Sequence, residues 1–379
     1  MEDARKVFWK SLRPFLGNVV GVGIFALPYV VAQAGFGVGV LAILLCGAAS
    51  LVAYLLYADI ALHTSGHARF VGLMRQYVGP FGGVLAAAAF FVSAFGTLVA
   101  YILVGGSFAH VLFAPIVGGG LLLYRVLFLL FGAVAMFGGM LTVMRVQKYI
   151  IAAYLVLVAL MVVLAAPHVD VGNFVLSTGS GVFLPFGVAL FAFNGFGAVP
   201  EMRDVLGRHK HLLPRALTVG VGIVAALYIA FAAIIVGVSG LGTSQEALYG
   251  LAQVLGPAML VIGSAIGLCT VGSAFMTHGV VTINTLTYDY RVRYFSAWAI
   301  AVLIPFAVVL LGSTDFVSVI NITGGIGGGL MGLVLVTAYE KMRLHPHASK
   351  NLLTIPQWLV FLAGVVFLAN IVLVVVDGK

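Results

Sequence analysis

His278 is the titratable side chain set deepest in an apolar run, where it could exchange a proton near neutral pH or pack uncharged. On the same run Thr270, Ser273, Thr277 and Asn284 recur at spacings of 3, 4 and 7, which places them along one helical stripe. Ser93, Thr97 and Tyr101 follow one another at i, i+4 and i+8 on another helix. They could line a side-chain pocket, with Tyr101 towards an external gate, or bond back to their own helix carbonyls. Asp59, Lys148, Glu201 and Asp204 stand near the ends of apolar runs, where snorkelling to water is the plain expectation. Cys46 and Cys269 lie inside apolar runs and read as small buried hydrophobes. The sequence has no G-x-x-x-x-G-K-[ST], no H-E-x-x-H and no cysteine-rich metal spacing, so neither an enzyme nor a bound cofactor or metal centre is expected.

The backbone is the other source of chemistry. One apolar run reads Gly17-Asn18-Val19-Val20-Gly21-Val22-Gly23-Ile24-Phe25-Ala26-Leu27-Pro28, and another reads Phe191-Ala192-Phe193-Asn194-Gly195-Phe196-Gly197-Ala198-Val199-Pro200. Both hold G-x-x-A-(Leu/Val)-P, at Gly23–Pro28 and Gly195–Pro200, offset by 172 residues. A helix broken inside a bilayer leaves N–H and C=O groups that lipid cannot satisfy, so they must face protein, water or a ligand. Helix N-termini offer donors to an anion and C-termini offer carbonyls to a cation, a combination suited to a zwitterion. The competing reading is that these glycines only let helices approach and the prolines only kink them.

These groups need spans to position them, and the composition supplies spans. Of 379 residues 63% are hydrophobic and 8% charged, where a soluble domain carries roughly 25% charged. Mean hydropathy is +1.19. Those values exclude a disordered chain, a secreted disulfide scaffold and a nucleic-acid binder. The chain reads as an all-α polytopic membrane protein with no cleavable signal peptide. Eleven apolar segments are expected near 12–35, 37–62, 82–113, 121–141, 147–166, 181–203, 215–239, 254–286, 295–312, 316–338 and 356–376. With the N-terminus cytoplasmic and the C-terminus outside, 17 of the 19 Lys and Arg residues fall inside, leaving Arg125 and Lys379 out. The net charge of +8 therefore reports topology in a cell membrane.

The matched breaks divide this single transport domain, residues 1–379, into repeats at 11–166 and 181–338, followed by an extra span at 355–376. Five spans per repeat is an odd number, so the second repeat is inverted relative to the first. Paired Gly/Pro-interrupted spans in inverted halves are the best sequence pointer to a transporter's binding site.

At these residues the chain resembles the amino acid–polyamine–organocation superfamily. The Gly17–Pro28 segment is similar to its first-helix signature. Pro28-Tyr29 and Ala32-Gln33-Ala34-Gly35-Phe36 lean towards the amino acid/auxin permease and aromatic amino acid permease branches. Phe191–Gly195, Pro200-Glu201-Met202, Arg145-Val146-Gln147 and Gly324-Gly325 add support. The resemblance implies a five-plus-five inverted repeat (LeuT-like) plus one helix, working by alternating access. It implies that the N–H groups of Val22, Gly23 and Ile24 hold a substrate carboxylate, and that the carbonyls of Val19, Phe191 and Asn194 hold its ammonium group. Phe191 would be an aromatic gate, and Gly21, Phe193, Thr97 and Tyr101 complete the candidate substrate site. Gly197 replaces a Glu of some dibasic-substrate exchangers, which argues against a dibasic substrate. Sodium-coupled relatives bind the ion between eighth-helix hydroxyls and the first helix. Here that would involve Thr270, Ser273 and Thr277 with Asn18 and Val20, although an adjacent Ser/Thr pair is missing. His278 is the candidate for H⁺. Tyr154 stands at the depth where some proton-coupled relatives place a Lys, and Lys148 is too shallow. The Asp-Pro-Gly of metal-ion relatives is absent.

The expectation is a secondary transporter of neutral, aromatic or large apolar amino acids, coupled to H⁺, with Na⁺ coupling or exchange as alternatives. A membrane-embedded amino acid sensor is the second hypothesis; a long tail or effector domain would favour it, and neither is seen. A channel fits poorly with paired broken helices. In the tenth segment Asn321, Thr323 and the Gly324–Gly329 cluster could serve close packing or gating.

Overall fold

The computed structural model describes residues 2–64, 66–311, 316–344, 353 and 355–377. Lys350 and Lys379 from the topology count lie outside the described residues, as do the side chains of Lys148 and Tyr154. Among the described residues every regular element is a helix.

The first expected segment is two helices, α1 (Glu2–Val19) and α2 (Gly23–Ala34), meeting at a bend of 57°. Next come α3 (Phe36–His63), a short α4 (Phe70–Val78), the long α5 (Pro80–Val117), α6 (Leu121–Phe137) and α7 (Gly139–Ala165). The sixth segment is again divided, into α8 (Leu184–Ala192) and α9 (Ala198–Leu206). It is followed by α10 (Leu213–Ser239), a short α11 (Leu248–Leu255), α12 (Pro257–Tyr290) and α13 (Tyr294–Leu310). The tenth segment comprises α14 (Phe316–Ile322), a wide π-helical turn at Thr323–Gly328 and α15 (Gly329–Leu344), and α16 (Gln357–Asp377) ends the chain. Among the described residues six helical stretches are long and apolar enough to cross a membrane, or up to eight if each of two bent pairs is one span.

The sequence reading missed α4 and α11, which are too short for a span and belong to connectors. It also began the fifth segment at 147, whereas α7 starts at Gly139. The polar residues Arg145 and Gln147 interrupt the apolar run there, yet a helix tolerates them where they meet water or a partner.

The half-helices pack crosswise. α1 lies against α9, α2 against α8, and α3 against α10, while α5 and α12 share the most extensive helix contact. Small residues permit this closeness. A Cβ at Gly197 would meet Val281 Cγ1 at 2.2 Å, and one at Gly324 would meet the Gly187 carbonyl at 2.5 Å. The Gly324–Gly329 cluster thus packs closely against α8 and α16.

Candidate substrate site at two helix breaks

In α1 the backbone ladder ends at Val19, residues 20–22 turn, and a new helix begins at Gly23. The Gly21 N–H bonds the Val19 carbonyl at 2.9 Å, and Phe25 N–H bonds the Val22 carbonyl at 3.0 Å. The N–H groups of Val22, Gly23 and Ile24 have no backbone partner among the described residues. They form the open first turn of α2, as helix geometry requires. The second break spans 193–197, between the carbonyl end of α8 and the restart at Ala198.

The two breaks touch. A Cβ at Gly23 would lie 2.7 Å from Ala192 Cα, and one at Gly195 would lie 2.4 Å from Val19 Cγ2. Neither glycine has a positive φ. What these positions require is the absence of a side chain, which is the close-packing reading, and both helices are also interrupted here.

Two tyrosines absent from the sequence-based candidates reach these breaks. Tyr54 Oη on α3 donates to the Phe193 carbonyl and accepts from the Gly195 N–H at 2.7 Å. Tyr228 Oη on α10 lies 2.7 Å from the Val19 carbonyl and 2.8 Å from the Ala192 carbonyl. Val19, expected to offer its carbonyl to an ammonium group, thus already has the Tyr228 hydroxyl and the Gly21 N–H at that oxygen. Most buried tyrosines find a hydroxyl partner, although Tyr57 on the same helix as Tyr54 has none among the described residues, and that tendency is the only signal the sequence offers.

The other candidates divide between the breaks and the scaffold. Phe191 Cδ1 is 3.3 Å from where a Gly23 Cβ would stand, and the Phe191 carbonyl accepts from Asn194 N–H at 2.9 Å. Tyr101 Oη is 2.5 Å from a Cβ position on Gly21, so it lies at the first break. Phe193 is different: its ring packs beneath Gly47 on α3 and against Tyr228, facing the scaffold. Asn194 Nδ2 donates to Ser93 Oγ at 2.5 Å, tying the second break to α5. Thr97, Thr270 and Thr277 all donate to carbonyls four residues back, at 2.7, 2.6 and 2.9 Å. For Thr97 this is the back-bonding alternative named from the sequence, and Thr270 and Thr277 do the same.

A polar contact joins α1 to α12. Asn18 Nδ2 lies 3.2 Å from His278 Nδ1 and donates to it when that nitrogen carries no proton. Tyr101 meets the same imidazole edge to face, with ring centroids 6.0 Å apart. Next to it Gln147 Nε2 on α7 donates to Thr277 Oγ1 at 2.5 Å, and the amide sits against Gly17. In the sequence Gln147 stands out only as part of the Arg145-Val146-Gln147 segment. Asn18 Oδ1, Gln147 Oε1 and Ser273 Oγ are buried without a hydrogen-bond partner among the described residues. Val20 lies within the first turn, with its N–H bonded to the Leu16 carbonyl at 2.9 Å.

Along α9 the snorkelling expectation is corrected for Glu201, whereas the Asp204 side chain stays 32% exposed. Glu201 is buried and pairs with Arg69 at 3.4 Å, and Asn284 Nδ2 donates to the same carboxylate oxygen at 2.8 Å. Arg69 also bonds Asp204 at 3.0 Å and stacks over Tyr288, 4.8 Å from the ring centroid. Burial acts to lower the Arg69 pKa, but Glu201 and Asp204 outweigh it and hold the guanidinium above its usual range. Arg203 binds the carbonyls of Ala61 and Gly66, so α3, α4, α9 and α12 meet in one ionic layer. Hydrocarbon gives isolated charges no partner, so the acids near the helix ends found cations instead of solvent. Asp59 is likewise buried, with His63 Nδ1 at 3.3 Å.

The tryptophan/tyrosine permease family matches residues 5–374. The chain belongs to this family. The tyrosine-specific transport system 1 of Haemophilus influenzae is 25% identical over 219 residues, covering 56% of this chain and 53% of that protein. The match with this curated relative therefore spans about half its length. Among solved structures, MhsT in complex with L-phenylalanine superposes with a TM-score of 0.68 at 17% identity, covering 96% of this chain and 98% of that one. MHP1, a nucleobase-cation-symport-1 family transporter in a closed conformation with bromovinylhydantoin bound, gives 0.65 at 12% identity, covering 97% and 90%. At such identities these likenesses establish the fold, which is that of the LeuT-like transporters. The permease thus fits the resemblance carried by its first-helix signature.

Proposed function

We propose that this permease is a secondary active transporter of neutral aromatic amino acids that binds substrate where the two breaks meet. The observation that carries this reading is the contact of Gly23 with Ala192. It sets the open N–H groups of α2 beside the carbonyl end of α8. A carboxylate suits the first and an ammonium group the second, through charge–dipole attraction at helix ends. The side chains nearest the breaks, Phe191, Tyr101 and Ala274, are uncharged, which suits a neutral aromatic substrate. Val281 fills the space beside Gly197, leaving no room for an acidic side chain to hold a dibasic substrate. A relative named for tyrosine and a structural neighbour holding L-phenylalanine agree with an aromatic substrate.

The eleven crossings, the five-plus-five inverted repeat and the cytoplasmic N-terminus belong to the same reading. The crosswise packing of α1 with α9 and α2 with α8 is what two inverted halves would produce. Coupling to H⁺ is preferred to Na⁺. Thr277, one of the proposed sodium ligands, already donates to a helix carbonyl and accepts from Gln147.

The test is uptake of labelled tyrosine, phenylalanine, tryptophan and lysine into proteoliposomes under separate H⁺ and Na⁺ gradients. Concentrative uptake of the aromatic amino acids driven by an inward H⁺ gradient, without lysine uptake, is expected. Binding without accumulation under any gradient would mean a sensor, and accumulation driven only by Na⁺ would overturn the coupling.

A further inference from the structure

We propose that Tyr54 and Tyr228 are positioning residues that lock the two helix breaks into one rigid ligand-holding unit. The inference rests on the reading that substrate binds at the breaks. Both side chains are fully buried. Within a membrane protein, carbonyl and N–H groups released by a break must find protein partners wherever water is excluded. At the second break the Tyr54 hydroxyl closes the gap in the ladder, taking the Gly195 N–H on one side and giving its proton to the Phe193 carbonyl on the other. The Tyr228 hydroxyl stands between the last carbonyls of α1 and α8, Val19 and Ala192. It has one proton for two acceptors, so it draws both helix ends to a common point, and because Val19 also accepts from the Gly21 N–H the open acceptor capacity lies mainly at Ala192.

The rings are themselves fixed. Tyr54 is set edge-on to Phe15 and Phe196 at 5.5 and 5.2 Å, and Tyr228 is set edge-on to Phe193 at 5.3 Å. The two tyrosines are 174 residues apart, close to the 172-residue offset of the broken motifs. They thus occupy corresponding places on α3 and α10, and each reaches a break in the opposite half of the chain. A hydroxyl exchange of this kind ties the geometry of one break to that of the other.

The experiment uses Tyr54→Phe and Tyr228→Phe in the full chain, which remove the hydroxyls and keep the rings. Tyr57→Phe on the same helix is the control, because the Tyr57 hydroxyl has no hydrogen-bond partner among the described residues. Ligand-free amide exchange and L-tyrosine binding and uptake are measured together. Each phenylalanine strands buried backbone groups, so L-tyrosine Kd and uptake KM should rise about tenfold. The maximal rate should change less than about threefold, and Tyr57→Phe should stay within about twofold, as expected for a hydroxyl with no partner to lose. Exchange should accelerate selectively at 193–197 in Tyr54→Phe and at 19–24 in Tyr228→Phe. Unchanged exchange at both segments, or exchange raised evenly across all helices with a fall in Tm and no change in Kd, would overturn the proposal. If the wild type binds no L-tyrosine, the substrate reading fails, while the exchange data still decide whether the tyrosines position the breaks.

Discussion

Gly23 and Ala192 meet backbone against side-chain space: a Cβ at position 23 would fall 2.7 Å from Ala192 Cα and 2.8 Å from its Cβ. The start of α2 and the end of α8 are therefore one surface, built by removing a side chain.

Substitution at this contact should be costly in a specific way. Gly23→Ala must push the backbone of one break away from the other, and L-tyrosine affinity should fall at least tenfold, with Gly23→Leu abolishing binding. Gly222, exposed in α10 with nothing within 4 Å of a Cβ position, provides the contrast. Gly222→Ala should leave binding unchanged and raise stability by about 0.5–1 kcal/mol through helix propensity. Equilibrium binding and thermal unfolding of the purified variants check both outcomes.

The Arg69–Glu201 pair makes a second prediction. The two side chains are only 6% and 7% exposed, so removing one partner leaves a buried charge behind. Arg69→Ala should destabilise by about 3–5 kcal/mol. It should also open the layer between α4, α9 and α12, seen as faster labelling of a cysteine introduced at Ala61. Glu201→Gln should cost less, because the Asn284 amide can still donate to the remaining carbonyl oxygen. Equal losses in the two variants would contradict an ionic seal.

Asp289 bears on α4 differently. Its two oxygens accept from the Arg69 and Gly72 N–H groups at 2.8 Å each, capping the start of that helix from the end of α12. Asp289→Ala should cost about 0.5–2 kcal/mol, as loss of a cap does. Amide exchange should rise in 70–78 while the helix breaks remain unaffected.

Topology can be tested without a ligand. Placing 17 of 19 cations on one side of eleven spans requires the termini to face opposite compartments. A periplasm-active reporter should function when fused to the C-terminus and fail at the N-terminus. Activity at both ends would remove one span from the count.

Much of the architecture was legible because it is written in local patterns. Apolar length gave the segments, and Gly21, Gly23, Gly195 and Gly197 marked both breaks to within a residue or two. The candidate site was legible mainly where backbone carries it. The side chains that join the breaks were harder to read. Tyr54 sits 139 and 141 residues from the groups it binds and Tyr228 sits 209 and 36 residues from its own, and nothing local to a tyrosine in an apolar run announces its partner. Phe193 neighbours Phe191 and Asn194 in the sequence, yet the direction of its ring depends on where Gly47 of α3 comes to lie. Glu201 looked interfacial because its partner, Arg69, lies 132 residues earlier.

The most direct test is a structure determined with L-tyrosine bound. Its carboxylate should lie within hydrogen-bonding distance of the N–H groups of Val22, Gly23 or Ile24, with the ammonium group towards the carbonyl end of α8. Ligand found instead in the apolar cavity of about 390 Å³ between Phe113, Tyr124 and Phe131, with the breaks empty, would contradict the account.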